Sequence, residues 1–401
     1  MGAARSRTTA IAVVIAMGGL AREAQAYPWN IKHGYFGCGA CHGDPSGAGV
    51  LTEYGRAQQE ILMRMPYGAS PEEEPKYSGF LFGLVDLPKW LLLTFTYRGA
   101  EFGLSAKSPD GTVMNMNQWL HMLLDGRAMI KLGAFRAGGS LGWGNSIETV
   151  PAAVWTSNDG TQQLLARDYW LGVALASETV LLRIGRINVP YGLRNVEHNA
   201  WVRGLTQTDS NISQQTGIAA SYDNGKVRTE VLLMLGNLRA TDTGYREQGA
   251  SGFAELKVAN RAGVGISALA ARGNSFVAGE SPYLRQSYGV FARWAPVLPV
   301  TFLVEGDVFW KETLGNGQLN PNAAGWLQLD YEPIQGLHLM PAAEILRSSG
   351  TNGVGTGWWL TLDWFCLPHT DLRLDAIYRN TPDVGGRSQV LSWLIQIHVY
   401  L

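Results

Sequence analysis

The sequence predicts a mostly β protein: a transmembrane antiparallel β-barrel of about sixteen strands, preceded by a small helical segment. Three observations carry this expectation. Apolar and polar residues alternate with period two from Pro88 to the C-terminus. Short turns alternate with longer polar or Gly-rich stretches. The N-terminus has the make-up of an export signal.

The first element is residues 1–26. Arg5 and Arg7 supply a basic start, "TTAIAVVIAMGGL" a short apolar core, and Ala24-Gln25-Ala26 a small-x-small cleavage pattern. The apolar run is too short to span a bilayer, so a mature chain starting at Tyr27 is expected outside the inner membrane. No later stretch approaches the roughly 20 apolar residues of a spanning helix, which excludes a helical membrane protein. Composition narrows the class further. With 401 residues, a formal charge of −1 and only 16% charged residues, the chain lacks the basic surplus of a nucleic-acid binder.

Residues 27–68 hold the chemistry. Cys38-x-x-Cys41-His42 reads as a c-type haem attachment site. Two thiols at this spacing can bond one edge of a porphyrin, while the next residue offers an imidazole to the iron, making His42 the proximal ligand. A zinc site would need a second ligand pair, and the remaining cysteine, Cys366, stands alone near the C-terminus. A thioredoxin-like motif would need a βαβ context, which is missing. A Cys38–Cys41 disulfide would leave His42 unexplained. The expected cofactor is therefore one haem c. "LTEYGRAQQEILMRM" has helical spacing at Leu51, Tyr54, Gln58, Ile61 and Met65, an apolar face able to pack on a porphyrin. Met63, Met65 and His33 are candidate distal ligands, each also readable as a packing or surface residue.

Residues 69–87, rich in Pro and Glu at the start, read as a linker. Residues 88–401 read as the barrel. In "LLLTFTYRG", Leu91, Leu93, Phe95 and Tyr97 oppose Thr94, Thr96 and Arg98; "VTFLVEGDVFW" and "DLRLDAIYR" repeat the pattern. Short connectors are expected at "LDGRA" near Gly126, "ASET" near Glu178, "DNGK" from Asp223, "ANRA" near Arg261, and around Pro296, Pro333 and Pro368. Longer segments fall at 144–166, 188–214 and 236–250. A soluble sandwich would also alternate. The export signal, the turn and loop rhythm, and Trp and Tyr near strand ends favour the barrel.

The last strand, "LSWLIQIHVYL", carries Leu391, Trp393, Ile395, Ile397, Val399 and Leu401 on one face. The opposite, lumen-facing set of the later strands is acidic: Glu305, Asp307, Asp330, Glu344, Asp363, Asp371 and Asp375. Such carboxylates, Asp371 and Asp375 among them, could attract divalent cations. Equally, they could pair with Arg293, Arg373 and Arg379 as ordinary lumen filling. The long segment opened by "GRINVPYGLRNVEH" could fold inward beside the haem segment; its His198 could bind a metal but reads more readily as a solvated loop histidine, and Cys366 reads as a free structural thiol.

Around the haem motif the chain resembles the fused monohaem cytochrome–porins of the outer membrane, known from iron-oxidising bacteria. "AYPWNIKHGYFGCGACH" carries Ala-x-Pro at Ala26 and Pro28, ten residues before Cys38; "LTEYGR" and "DLPKWLLLTF" are similar to the family's segments after the motif and before the first strand. Where the family has Phe-Ala-Arg, this chain has "NIK", with Lys32 keeping the basic position. The resemblance implies a Gram-negative outer membrane, lipid around the barrel, and electron transfer from extracellular Fe(II) or a similar donor to a periplasmic carrier such as a small cytochrome c. A hydrocarbon core about 30 Å thick is too wide for one useful electron hop, so the haem segment is expected inside the lumen. The other function class is a solute-conducting porin whose haem segment is a structural plug.

Overall fold

The computed structural model describes residues 27–45, 47, 49–66, 79–145, 153–160, 162–209, 213–236, 247–273, 282–314 and 320–401. The export signal and the first part of the linker lie outside the described residues.

The sheet opens with β1 (Leu91–Lys107), β2 (Val113–Leu132), β3 (Phe135–Asn145), β4 (Ala153–Thr156), β5 (Gln162–Leu165) and β6 (Tyr169–Leu175). It continues with β7 (Val180–Ile187), β8 (Gln215–Asp223), β9 (Val227–Leu235), β10 (Glu247–Ala259), β11 (Ala262–Gly273) and β12 (Tyr283–Val297). The last third is β13 (Val300–Thr313), β14 (Asn322–Ile334), β15 (Leu337–Arg347), β16 (Gly355–Leu367), β17 (Thr370–Asp383) and β18 (Gly386–Tyr400). Every pairing is antiparallel, and β1 pairs with both β2 and β18, so the sheet closes on itself. β5 and β6 both pair with β3 and form one interrupted stave, while β4 is a hairpin arm on β5 alone. The barrel thus has sixteen staves.

The wall is inverted relative to a soluble sheet. Outward residues are apolar and exposed, with Ile266 and Val290 each 63% accessible; inward residues are polar and buried, with Asp330, Glu305 and Arg183 at 2% or less. Water would penalise such an exterior, whereas hydrocarbon favours it. Closure is what makes the arrangement tolerable in lipid, because no backbone edge is left without a partner. Exposed aromatics sit toward both ends: Trp90, Trp294 and Tyr331 near one, Trp119, Tyr288 and Trp358 near the other. They form the two interfacial girdles expected of a membrane barrel.

One end carries tight turns, including 176–179, 224–226, 298–299, 335–336 and 368–369, and also the start of β1 and the end of β18. The turn at Asn224-Gly225 uses the positive φ of Gly225, +78°. The turn expected near Gly126 is a correction: β2 runs unbroken through "LDGRA" and the chain reverses at Gly133 instead. Asp125 and Arg127 point into the lumen and bond each other at 2.6 Å, so the Asp-Gly-Arg triplet is lumen chemistry that mimics a turn signal.

Two segments fill the lumen. Residues 27–45 and 49–66 enter from the tight-turn end, docking on the ends of β12 to β17. Residues 188–209 fold inward from the other end and carry a single helical turn at Trp201–Gly204, against β13, β14 and β15. Tyr191 donates to Asp307 at 3.0 Å, and the Leu193 and Trp201 amides donate to Glu305 and Glu344 at 3.1 and 2.9 Å. Val50 of the first and Val189 and Tyr191 of the second belong to one buried apolar cluster, together with Leu92, Met129 and Trp170 of the wall. His198, expected to be solvated, is buried in the inward loop, because that loop lies inside the barrel rather than above it.

Ile266 stands near the middle of a stave that faces lipid. Ile266→Lys should destabilise the vesicle-embedded barrel by about 2–4 kcal/mol, and Ile266→Val by far less. Denaturant unfolding in lipid vesicles measures both.

Candidate functional site

The Cys-x-x-Cys-His stretch forms a compact turn whose backbone aims three side chains together. Cys38–Ala40 is a 3-10 turn, and the Cys41 and His42 amides both donate to the Cys38 carbonyl, at 3.1 and 3.0 Å. A short backbone ladder then ties this turn to residues 50–52. Gly43 donates to Val50 at 2.8 Å and Thr52 to Cys41 at 2.9 Å. Thr52 is also the N-cap of α1 (Glu53–Gln58): its hydroxyl accepts from the Gly55 amide at 2.9 Å and donates to the Ala40 carbonyl at 3.0 Å. The cap therefore fixes helix and turn to each other. Gly55 permits the contact, because a Cβ there would overlap the Cys41 carbonyl.

The segment continues as a π turn, Gln59–Met63. That widening rotates the helical stripe expected from the sequence. Tyr54 and Ile61 end up exposed, while Leu51, Gly55, Gln58, Gln59, Leu62 and Met63 line a cavity beside the motif. Cys38, Cys41 and His42 close one side; Thr94, Arg293, His398 and Tyr400 of the barrel wall close another.

The residues present fit a covalently held haem. Cys38 and Cys41 are both free thiols on the cavity. Burial pushes the Cys41 thiol pKa up to about 11, so it stays protonated. His42 is buried, its Nδ1 has no hydrogen-bond partner, and burial holds its pKa well below the ordinary imidazole value. It is neutral at pH 7 and keeps a lone pair for a metal. Among the other candidates, Met63 is buried on the cavity, its sulfur 3.9 Å from Asn30 Nδ2. Met65 is not brought to the site; its amide bonds the Phe365 carbonyl at 3.1 Å. His33 is half-buried and does not line the cavity. Cys366 is buried behind the 368–369 turn, its thiol 3.9 Å from the Thr370 carbonyl.

Ion pairs hold the motif in the lumen. Arg228 donates to Cys38 Sγ at 2.8 Å and to Glu255, which also takes Arg293 at 2.6 Å; Arg293 in turn bonds the Phe36 carbonyl. Asp44 meets Arg183 at 2.8 Å, and Arg183 also pairs with Glu230. Lys32 bridges Asp330 and Glu332 at 2.9 and 2.5 Å. The acidic lumen face, readable either as attracting cations or as ordinary filling paired to arginines, is engaged throughout. Glu305 holds Arg203, Glu344 holds Arg379, Arg373 lies between Asp363 and Asp375, and Asp371 holds His398. Among the described residues, no cluster of acids, histidines and cysteines could hold a metal ion by itself.

Sequence reasoning missed the wall side of the cavity. The signal was present: on β18 the residues alternate with the lipid-facing set, so His398 and Tyr400 had to face the lumen.

No family model and no curated protein matches the chain by sequence. Solved structures do match its fold. OmpT, an outer membrane protein of Vibrio cholerae, superimposes with a TM-score of 0.57 at 10% identity, covering 79% of this chain and 100% of OmpT. The anion-selective porin of Comamonas acidovorans gives 0.56 at 13% identity over 78% of this chain and 99% of its own. OmpF of Salmonella typhi, in complex with daunomycin, gives 0.52 at 12% identity over 78% and 98%. The chain has the barrel fold of these outer-membrane porins.

Because a Cβ at Gly55 collides with backbone, Gly55→Ala should cost about 1–3 kcal/mol and loosen the motif. Were the motif to hold a haem, its incorporation, read as the haem-to-protein absorbance ratio, should fall. Gly39→Ala, where a Cβ meets nothing within 4 Å, should leave the ratio unchanged.

Proposed function

We propose that this protein carries electrons across the outer membrane through one c-type haem bound inside its barrel, from an extracellular donor such as Fe(II) to a periplasmic carrier. The observation that carries this reading is the position of the Cys-x-x-Cys-His turn: it borders a cavity inside a closed, lipid-facing wall. Cys38 and Cys41 would hold the group covalently, and His42 would be its proximal ligand. When bound, haem supplies a one-electron couple.

The chain's own residues do the remaining work. Neutral His42 offers a nitrogen without first losing a proton. Arg228, Arg183 and Lys32 fasten the segment to the wall, which keeps the cavity at one depth. The wall excludes water and insulates the couple from lipid. The tight turns belong on the periplasmic side in such barrels, which gives the haem segment access to a soluble carrier. Residues 188–209 dock on the lumen wall from the other side. Because the lumen carboxylates already have partners, Asp371 and Asp375 act here as wall residues rather than as an iron trap.

The likeness to porins favours a second reading, a solute channel with a structural plug. The inward loop, bonded to Asp307, Glu305 and Glu344 of the lumen wall, argues against it. The readings separate cleanly. His42→Ala should abolish the c-type absorbance while leaving heat-modifiable barrel migration intact. Mixing with Fe(II) should reduce the wild-type haem, and planar-bilayer recordings should show little conductance. Large stable conductance together with a haem indifferent to Fe(II) would favour the channel.

A further inference from the structure

Building on the haem reading and resting on it, we propose that His398, on the barrel wall, is the second axial ligand of the same iron, with Asp371 as its positioning residue. Of the histidines among the described residues, His42 and His398 line the cavity. They come from opposite parts of the structure, one from the tethered segment and one from the last strand.

The geometry around His398 is that of a ligand waiting for a metal. Its Nδ1 lies 2.6 Å from Asp371 Oδ2, so Nδ1 carries the proton and donates. The lone pair is then left on Nε2, which is buried and has no hydrogen-bond partner. A carboxylate that orients an imidazole and raises its basicity is the usual outer partner of a metal-bound histidine. The support is built into the sheet. Asp371 on β17 and Arg98 on β1 are the direct cross-strand neighbours of His398 on either side. Arg98 Nη2 lies 3.4 Å from the same Nδ1, a longer contact that the Asp371 bond outcompetes. The whole row is buried.

Met63 is the rival within the cavity. Its thioether already sits beside Asn30 and packs with Trp29, Met340 and Phe365, so it needs no iron to be satisfied. The Nε2 of His398 has no such alternative. Coordination from the wall would also couple haem state to barrel assembly. The segment supplies the covalent bonds and one ligand, and the barrel completes the coordination only once the segment is docked. Two imidazoles leave the potential below that of a His–Met pair.

The test uses the full-length haem-loaded protein in detergent. Covalent haem is established first by the c-type pyridine haemochrome; its absence from wild type would overturn the haem reading itself. With haem attached, wild type should be six-coordinate and low-spin, without a methionine–iron charge-transfer band. His398→Ala should become high-spin, bind carbon monoxide when reduced, and return to low-spin with added imidazole. Met63→Ala should keep the wild-type spectrum. A folded His398→Ala barrel with an unaltered low-spin spectrum, or a high-spin Met63→Ala, would overturn the assignment. Should His398→Ala fail to assemble, Asp371→Asn decides. A low-spin haem with a raised midpoint potential supports the proposal, and an unchanged potential opposes it.

Discussion

A closed sheet that turns its polar side chains inward has to neutralise them there. Everything else in this molecule depends on that constraint. Lipid demands the apolar exterior, and period two then commits every second residue to the lumen. Many of those residues are charged, and a buried charge without a partner costs several kcal/mol. The wall alone does not meet the demand. Asp330, Glu332, Arg183 and Arg293 take partners from the tethered segment, and Glu305, Asp307 and Glu344 take theirs from the inward loop.

The same exchange explains how so short a segment holds a structure. About forty residues bury too little surface to stabilise a fold alone. Here α1 has six residues, and its π extension five. Trp29, Ile31, Phe36 and Val50 instead find their apolar partners on the barrel and the loop, among them Phe365, Ala295 and Val189. Segment and wall are one folding unit with two origins in the chain. The Cys-x-x-Cys-His turn gains a fixed environment it could not generate by itself.

Legibility in the sequence tracks the range of the interactions involved. Cys38, Cys41 and His42 could be picked out as a motif because their spacing lies along the chain. The lipid face of each strand could be read because it repeats every two residues. "LDGRA" misled because Asp-Gly is turn chemistry in isolation, and only the ion pair across Gly126 shows it to be lumen wall. Tyr54 and Ile61 misled because a regular helix was assumed where a π turn intervenes.

Residue order alone thus determined the barrel, its inverted polarity, its approximate strand number and the place of the Cys-x-x-Cys-His motif. Tertiary structure decided which lumen acids are spent on partners, which way the helical stripe turns, where residues 188–209 dock once inside the pore, and that His398 faces His42's cavity. The physical reason is closure. Joining β1 to β18 sets the C-terminal strand beside the start of the barrel, where the segment docks, and no local pattern records which inward side chains such a ring brings together.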